Sequence, residues 1–350
     1  MWRAGDWVML DPDRRLSMCP AEVPMRFALM IEAQQGLSYG EQLAIAKRAE
    51  ANGFEAFFRS DHYASFPGAS GLPTTDAWTV LAGLARDTDR IGLGVLVSPV
   101  TFRRPGNLAK VVTTVDEMSG GRIEVGLGAG WNEAEHRQLG LPFPPISERA
   151  DLLEEQLTIL HGLWGEPDGW SYEGPSATIH DAQFHPKPVQ VPGRPVMPSG
   201  IARPRILLGG GGTPRSLRLA ARWADEFNTS SAGPDRIAEV GAALDAACVA
   251  IGRDPGTMAR SAMVGVLVGR DAGEVRARET ALLEALGATD AGDEWLEERK
   301  DRWVIGTADE ARAMVRRLAG AGVERVMLQD FLPRDLDMVD VIGEALVGQV

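Results

Sequence analysis

From Met25 onward the chain alternates, about eight times, between a short and mostly apolar run and a longer amphipathic stretch. The runs are RFALMI (26–31), FEAFFRS (54–60), IGLGVLVS (91–98), RIEVGLGAG (122–130), RILLGGGG (205–212), DEFNTS (225–230), ARSAMVGVLVG (259–269) and VERVMLQDF (323–331). A strand that is apolar at every position must be covered on both faces, and parallel strands need helical crossovers. The alternation therefore predicts an α/β fold with a parallel sheet. Eight units with no second composition regime, and no GxGxxG after the first strand, favour a (β/α)8 TIM barrel. Two α/β domains with a break near 165–204 are the alternative.

Local signals agree with this reading. Ser38 followed three residues later by Glu41 is a capping-box spacing, and Gly53 closes the helix that Ser38 opens. Further helices are expected over 74–88, 105–121, 147–164, 214–224, 235–252 and 272–287, and in the run GTADEARAMVRRLAGAG before the last strand. The rhythm is interrupted by NEAEHRQLG (132–140) and a Pro/Gly/His stretch at 165–204, giving an inserted segment at about 140–204 between strands four and five. Residues 1–24 read as a non-core extension: the apolar WVML is too short for a signal core and charged residues follow it. The barrel domain is thus expected over 25–350.

Composition excludes several classes. A formal net charge of −13 argues against nucleic acid, whose phosphates need a basic face. No window has the length of a membrane span, so no membrane partner is expected. Two distant cysteines, Cys19 and Cys248, offer neither a disulfide framework nor a zinc spacing, which suits a reducing cytoplasm. The five histidines lack metal-motif company, so no metal is expected.

In a parallel barrel, chemistry sits where strands run into their βα loops. Strand two ends in Asp61-His62, strand three in Val97-Ser98, and strand four in Gly128-Ala129-Gly130-Trp131-Asn132. Strand five ends in four glycines and Thr213, then the helix starting at Pro214. Backbone N–H groups of such a bend can approach a ligand closely with a helix dipole behind them, so Gly210, Gly211, Gly212 and Thr213 read as a phosphate cradle, with Arg215 supplying charge. His62 is poised to titrate near neutrality, so with Asp61 it is the candidate catalytic pair. The alternating glycines of strand four could let a flat ring lie against backbone, or could serve packing. Arg103 and Arg104 could attract an anionic tail or be solvated surface. Glu133, Glu135, His136 and Arg137 read as a solvated helix face from which His136 and Arg137 could reach the mouth. Trp164 and Trp170 read as packing for the inserted segment.

These segments, in the order SDH, SPVTFRRP, SGGRIEVGLGAGW, GGGG, resemble the luciferase-like flavin and deazaflavin oxidoreductases from about Met25 to the C-terminus, and look closest to the branch that uses coenzyme F420. The resemblance implies a luciferase-like barrel and a deazaflavin ring over the end of strand three, where a non-proline cis peptide near Leu96-Val97 would form a bulge. It implies cofactor contacts from Asp61, Leu96, Val97, Ser98, Gly128, Ala129, Gly130, Trp131, Asn132 and His136, and cofactor phosphate on Gly210 to Thr213. Sugar-phosphate-oxidising members carry a glutamate where this chain has Trp131, which leaves the proton donor to the ring unassigned and puts a sugar-phosphate substrate in doubt. The implied activity is hydride transfer between the deazaflavin C5 and a small organic substrate, assisted by His62, in a homodimer. An FMN-dependent two-component monooxygenase and a non-catalytic flavin-binding protein are the alternatives.

Overall fold

The computed structural model describes residues 24–350, so the expected N-terminal extension lies, apart from Pro24, outside the described residues. The strands are β1 (Arg26–Ile31), β2 (Ala56–Arg59), β3 (Gly92–Pro99), β4 (Ile123–Gly128), β5 (Trp170–Glu173), β6 (Thr178–Ala182), β7 (Arg205–Gly210), β8 (Glu226–Ser230), β9 (Ala259–Gly269), β10 (Val304–Thr307) and β11 (Arg325–Asp330). The helices are α1 (Tyr39–Ala51), α2 (Ala77–Asp87), α3 (Pro105–Ser119), α4 (Glu133–Leu139), α5 (Ile146–Gly165), α6 (Pro214–Trp223), α7 (Pro234–Ala250), α8 (Ala272–Ala285), α9 (Gly292–Lys300), α10 (Ala308–Gly320) and α11 (Leu336–Leu346). Parallel pairing runs β1-β2-β3-β4-β7-β8-β9-β11, and β11 returns to β1 with Arg26 opposite Arg325 and Ile31 opposite Asp330. The ring closes: this is a (β/α)8 barrel.

Two faces explain the continuous apolar runs. Ala28, Met30, Ala56, Phe58, Leu207 and Met327 fill the barrel, while Phe27, Leu29, Ile31 and Phe57 face out against the helices. Burying each large side chain contributes about 2 kcal/mol. The Ser38–Glu41 capping box forms as the spacing predicts, and Gly53 takes a left-handed φ of 77° just past α1.

Charge, rather than hydrocarbon, fills the end of the barrel where the strands begin. Arg325, wholly buried at the start of β11, donates to Glu124 (2.9 and 2.7 Å) and Glu226 (3.1 and 2.7 Å). Burial alone would lower the Arg325 pKa; the two carboxylates outweigh it and hold the guanidinium well above its usual range.

The excursion after β4 resolves into parts. α5 is the outer helix of this unit, with Leu157, Ile159, Leu160 and Trp164 buried in the core. Beyond it β5 and β6 form an antiparallel hairpin that sequence periodicity did not reveal, and Trp170 lies directly over Gly162 of α5. β10 was also not foreseen. It pairs with the second half of the long β9 (Val304 with Val266, Thr307 with Gly269), where β8 has ended.

Candidate active site

A cavity of about 630 Å³ opens where the barrel strands end. Of the expected site residues, His62, Leu96, Val97, Gly128, Ala129, Gly130, Trp131 and Gly210 line it. Met30, Glu32, Ser60, Phe66, Glu135, Asn228, Met263, Trp303, Gln329 and Phe331 complete most of its wall. Asp61, Ser98, Asn132, His136, Gly211, Gly212 and Thr213 are not on the wall.

Period-two alternation at the end of β2 separates the expected pair. Ser60 and His62 face the cavity, so Arg59 and Asp61 face the other way. Asp61 is buried, accepting hydrogen bonds from Ser98 Oγ (3.0 Å) and from Arg103, while Ser98 Oγ accepts from Trp78 Nε1 (2.9 Å). This corrects the assignment of Asp61 and Ser98: they hold the ends of β2 and β3 together behind the mouth. It also removes Arg103 from any anionic-tail role, because Asp61, Asp76 and Tyr63 occupy its guanidinium. Burial would raise the Asp76 pKa, yet Arg103, Tyr63 and the Thr79 N–H hold it well below the usual carboxylate range.

The partner of His62 is Glu135, 73 residues on. Its Oε1 lies 2.9 Å from His62 Nδ1, and its Oε2 accepts from the Tyr63 backbone N–H at 3.0 Å. A carboxylate only accepts, so Nδ1 carries the proton and Nε2 is the ring nitrogen left for a ligand. Glu135 is 1% exposed, which corrects its reading as part of a solvated face. Asn132 caps α4 through Oδ1 to the Ala134 N–H (3.1 Å), presenting Glu135 one turn beyond β4. His136 is also buried, between Asn132 O (2.7 Å) and Thr101 Oγ1 (2.6 Å). These bonds make Asn132 and His136 supports of the α4 start rather than cavity residues. Trp131 and Phe66 meet the His62 ring edge-on, at 5.6 and 4.5 Å. Trp131 is 66% exposed.

The Leu96–Val97 peptide is cis, where the resemblance placed such a bond. The β3–β4 register shifts between Val95 and Ser98, and consecutive residues Leu96 and Val97 both reach the cavity. Two β4 glycines make room for this bulge. A Cβ at Gly126 would stand 2.2 Å from the Val95 carbonyl oxygen, and one at Gly128 2.6 Å from Val97 Cγ2.

At the end of β7, the strand next to β4, a Cβ at Gly210 or Gly211 would meet nothing within 4 Å, so bare backbone leads from the cavity toward α6. Gly212 turns with φ 79° against Val240, and Thr213 caps α6 through the Ser216 N–H (3.2 Å). Arg215 does not face this bend; it bonds Ser147 O (3.0 Å) and Asp151 of α5. At the end of β11, Gln329 and Phe331 face the cavity and Asp330 faces outward, wholly buried, with Oδ1 on the Leu332 N–H (2.7 Å) and Oδ2 without a partner among the described residues. Burial pushes its carboxyl from 3.8 up to about 7.

A second cavity of about 660 Å³ lies outside the ring, between the start of α3, α5 and the β5–β6 turn. Among the described residues no histidine lines it, and its Glu155 is engaged by the backbone N–H groups of Ser176 and Ala177, both at 3.2 Å.

A closed eight-strand barrel with a bulged third strand and a His–Glu pair inside an aromatic mouth defines the class. The chain belongs to the luciferase-like monooxygenase family, whose model matches residues 23–328. An F420-dependent glucose-6-phosphate dehydrogenase of Nakamurella multipartita is 34% identical over 215 residues, covering 59% of this chain and 57% of that protein. The chain spans between 57% and 66% of the length of the first curated relatives it matches. Among solved structures, an F420-dependent secondary alcohol dehydrogenase in complex with an F420-acetone adduct superposes with a TM-score of 0.75 at 20% identity, covering 92% of this chain and 98% of that one. The monooxygenase RslO1 from Streptomyces bottropensis gives 0.76 at 22% identity, covering 93% and 99%. At these identities the structural likeness speaks for the fold alone.

Proposed function

We propose that this chain is an F420-dependent oxidoreductase acting on a small organic substrate. The observation that carries the reading is the His62–Glu135 pair on the wall of a large apolar cavity at the barrel mouth. Relatives named as F420-dependent dehydrogenases, at 32–34% identity, support the choice of cofactor. The residues suit such a group: Leu96 and Val97 offer an apolar shelf, and the bare backbone at Gly210 and Gly211 gives a phosphorylated side chain a way out. When bound, the deazaflavin supplies or takes up the hydride at C5.

The chain's own contribution is orientation and proton handling. Glu135 fixes the His62 tautomer, so Nε2 can take a proton from a substrate hydroxyl or amine, or return one in the reverse direction. Trp131 and Phe66 meet the imidazole edge-on and steady its ring plane. Asp61, Ser98 and Arg103 keep the β2 end in place beneath it.

The test is a fluorescence and calorimetric titration of the purified full chain with F420 and with FMN. Retention of F420 at micromolar concentration, with FMN at least about tenfold weaker, is expected. Preference for FMN, with oxygen uptake on adding a flavin reductase, would replace the proposal with the two-component monooxygenase, a chemistry also named among the relatives.

A further inference from the structure

We propose that the mouth selects a substrate bearing an amine on an apolar frame, with Glu32 as the specificity-determining residue, and that it rejects anionic sugar phosphates. This deepens the reading above and rests on it for the identity of the site. Three observations carry it.

First, Glu32 lines the cavity just past β1, is 7% exposed, and has no cationic partner among the described residues. Its Oε2 accepts from Gln34 Nε2 at 2.7 Å and its Oε1 from Gln329 Nε2. Two amides orient the carboxylate but leave its charge unmatched, and each oxygen keeps a lone pair for another donor. Buried charges are ordinarily paired, so a cationic ligand supplies what the fold omits.

Second, among the described residues no lysine or arginine lines the cavity, whose titratable groups are Glu32, Glu135 and His62. A phosphate monoester would enter a wall with two carboxylates and no side-chain cation. That is electrostatic rejection, and it sets this mouth apart from one built for glucose 6-phosphate.

Third, the wall beside Glu32 is aromatic. Phe331 follows Gln329 by two residues and stacks on Trp303, with centroids 5.3 Å apart and planes within 9°. Ring faces next to a carboxylate attract an alkylammonium group and its hydrocarbon frame together. Arg299, which stacks over Trp295 at 3.5 Å, is not on the cavity wall and leaves the charge of Glu32 unanswered. Because β11 and β4 lie across the ring from each other, this wall faces the bulge side of the mouth.

The experiment measures binding, not turnover. Full-length protein, with and without F420, is titrated calorimetrically with phenethylamine, 2-phenylethanol, phenyl phosphate and glucose 6-phosphate near neutral pH. Phenethylamine should bind roughly tenfold or more tightly than the alcohol, with neither phosphate detectable. Glu32→Gln should cost the amine roughly tenfold and leave the alcohol within about twofold. Glu32→Asp, which keeps the charge but withdraws it, should fall between, and stands in if the Gln variant fails to fold. Glucose 6-phosphate binding more tightly than the amine overturns the proposal, as does an amine preference that survives both substitutions. Amine selectivity without F420 retention removes the cofactor reading alone; F420 retention without amine selectivity removes this inference alone.

Discussion

Replacing Asp330 with Asn should strip a specific pH dependence from the stability of the barrel. Asp330 is wholly buried, with one oxygen bonded to the Leu332 N–H and the other unpartnered among the described residues. Its carboxyl titrates at about 7 in the folded chain against 3.8 ordinarily. Between those values the folded state keeps a proton that the unfolded state has released. Stability therefore falls as pH rises through the window, is undiminished below it, and is lowered by the full amount above it. Three units at about 1.4 kcal/mol each set a ceiling of about 4 kcal/mol, of which roughly 3 kcal/mol falls between about pH 5 and pH 8. Asn cannot ionise and keeps an oxygen for the Leu332 N–H. Urea unfolding of both proteins at constant ionic strength should show the Asn variant gaining on its parent by about 1.4 kcal/mol per pH unit up to about pH 7, then levelling. A difference constant to within about 0.5 kcal/mol across that range would refute the reasoning. The turn at stake carries Phe331 into the cavity, so its stability bears on the site.

The other predictions concern the mouth and its supports. His62→Ala should lower kcat by roughly 10²–10³-fold while F420 affinity, read by fluorescence quenching, stays within about threefold. Glu135→Gln should lower kcat by roughly tenfold, since Gln still accepts from Nδ1 but can no longer stabilise an imidazolium; unchanged steady-state rates would remove the pair from the mechanism. Arg325→Met should destabilise the fold by about 3–5 kcal/mol in chemical denaturation, because it leaves buried Glu226 and Glu124 without their principal cation. Gly126→Ala should cost more stability than Gly128→Ala, roughly 1–3 kcal/mol for the former, because a backbone carbonyl cannot yield as the tip of Val97 can.

Most of the ring strands were legible because each is covered on both faces, which writes a continuous apolar run into the sequence; β8, EFNTS, was placed by the rhythm of its neighbours instead. β10 left no such mark: four residues against one half of β9 carry too little pattern, and Gly306-Thr307 read as the start of α10 instead. At the mouth, strand ends named the right loops and several of the cavity residues, but not every side chain that faces the cavity. Asp61 and His62 are neighbours in the segment just past β2, and for that reason point in opposite directions. Alternation counted forward from Ser60 would have separated them. Glu135 was hidden in a charged stretch, NEAEHRQLG, that has the composition of a solvated helix. The signal that could have found it is the Asn132 cap, which fixes the phase of α4 and turns its first turn toward the end of β4. Arg215 was misread because a helix N-terminus suggests an anion, and nothing local announces that Ser147 and Asp151 take the guanidinium.

The charged knot at the closed end of the barrel bears on how the chain is made. Glu124 and Glu226 leave the ribosome well before Arg325, which stands 201 and 99 residues further on. Until β11 is synthesised, Arg205, 28% exposed and 3.8–4.0 Å away, and the more distant Arg26 are left to answer their charge. A barrel lacking its last strand thus has its acids without their main base, and chains ended before Arg325 should be cut rapidly by protease under conditions where the full chain resists. Completion of the ring and neutralisation of its floor are one late event.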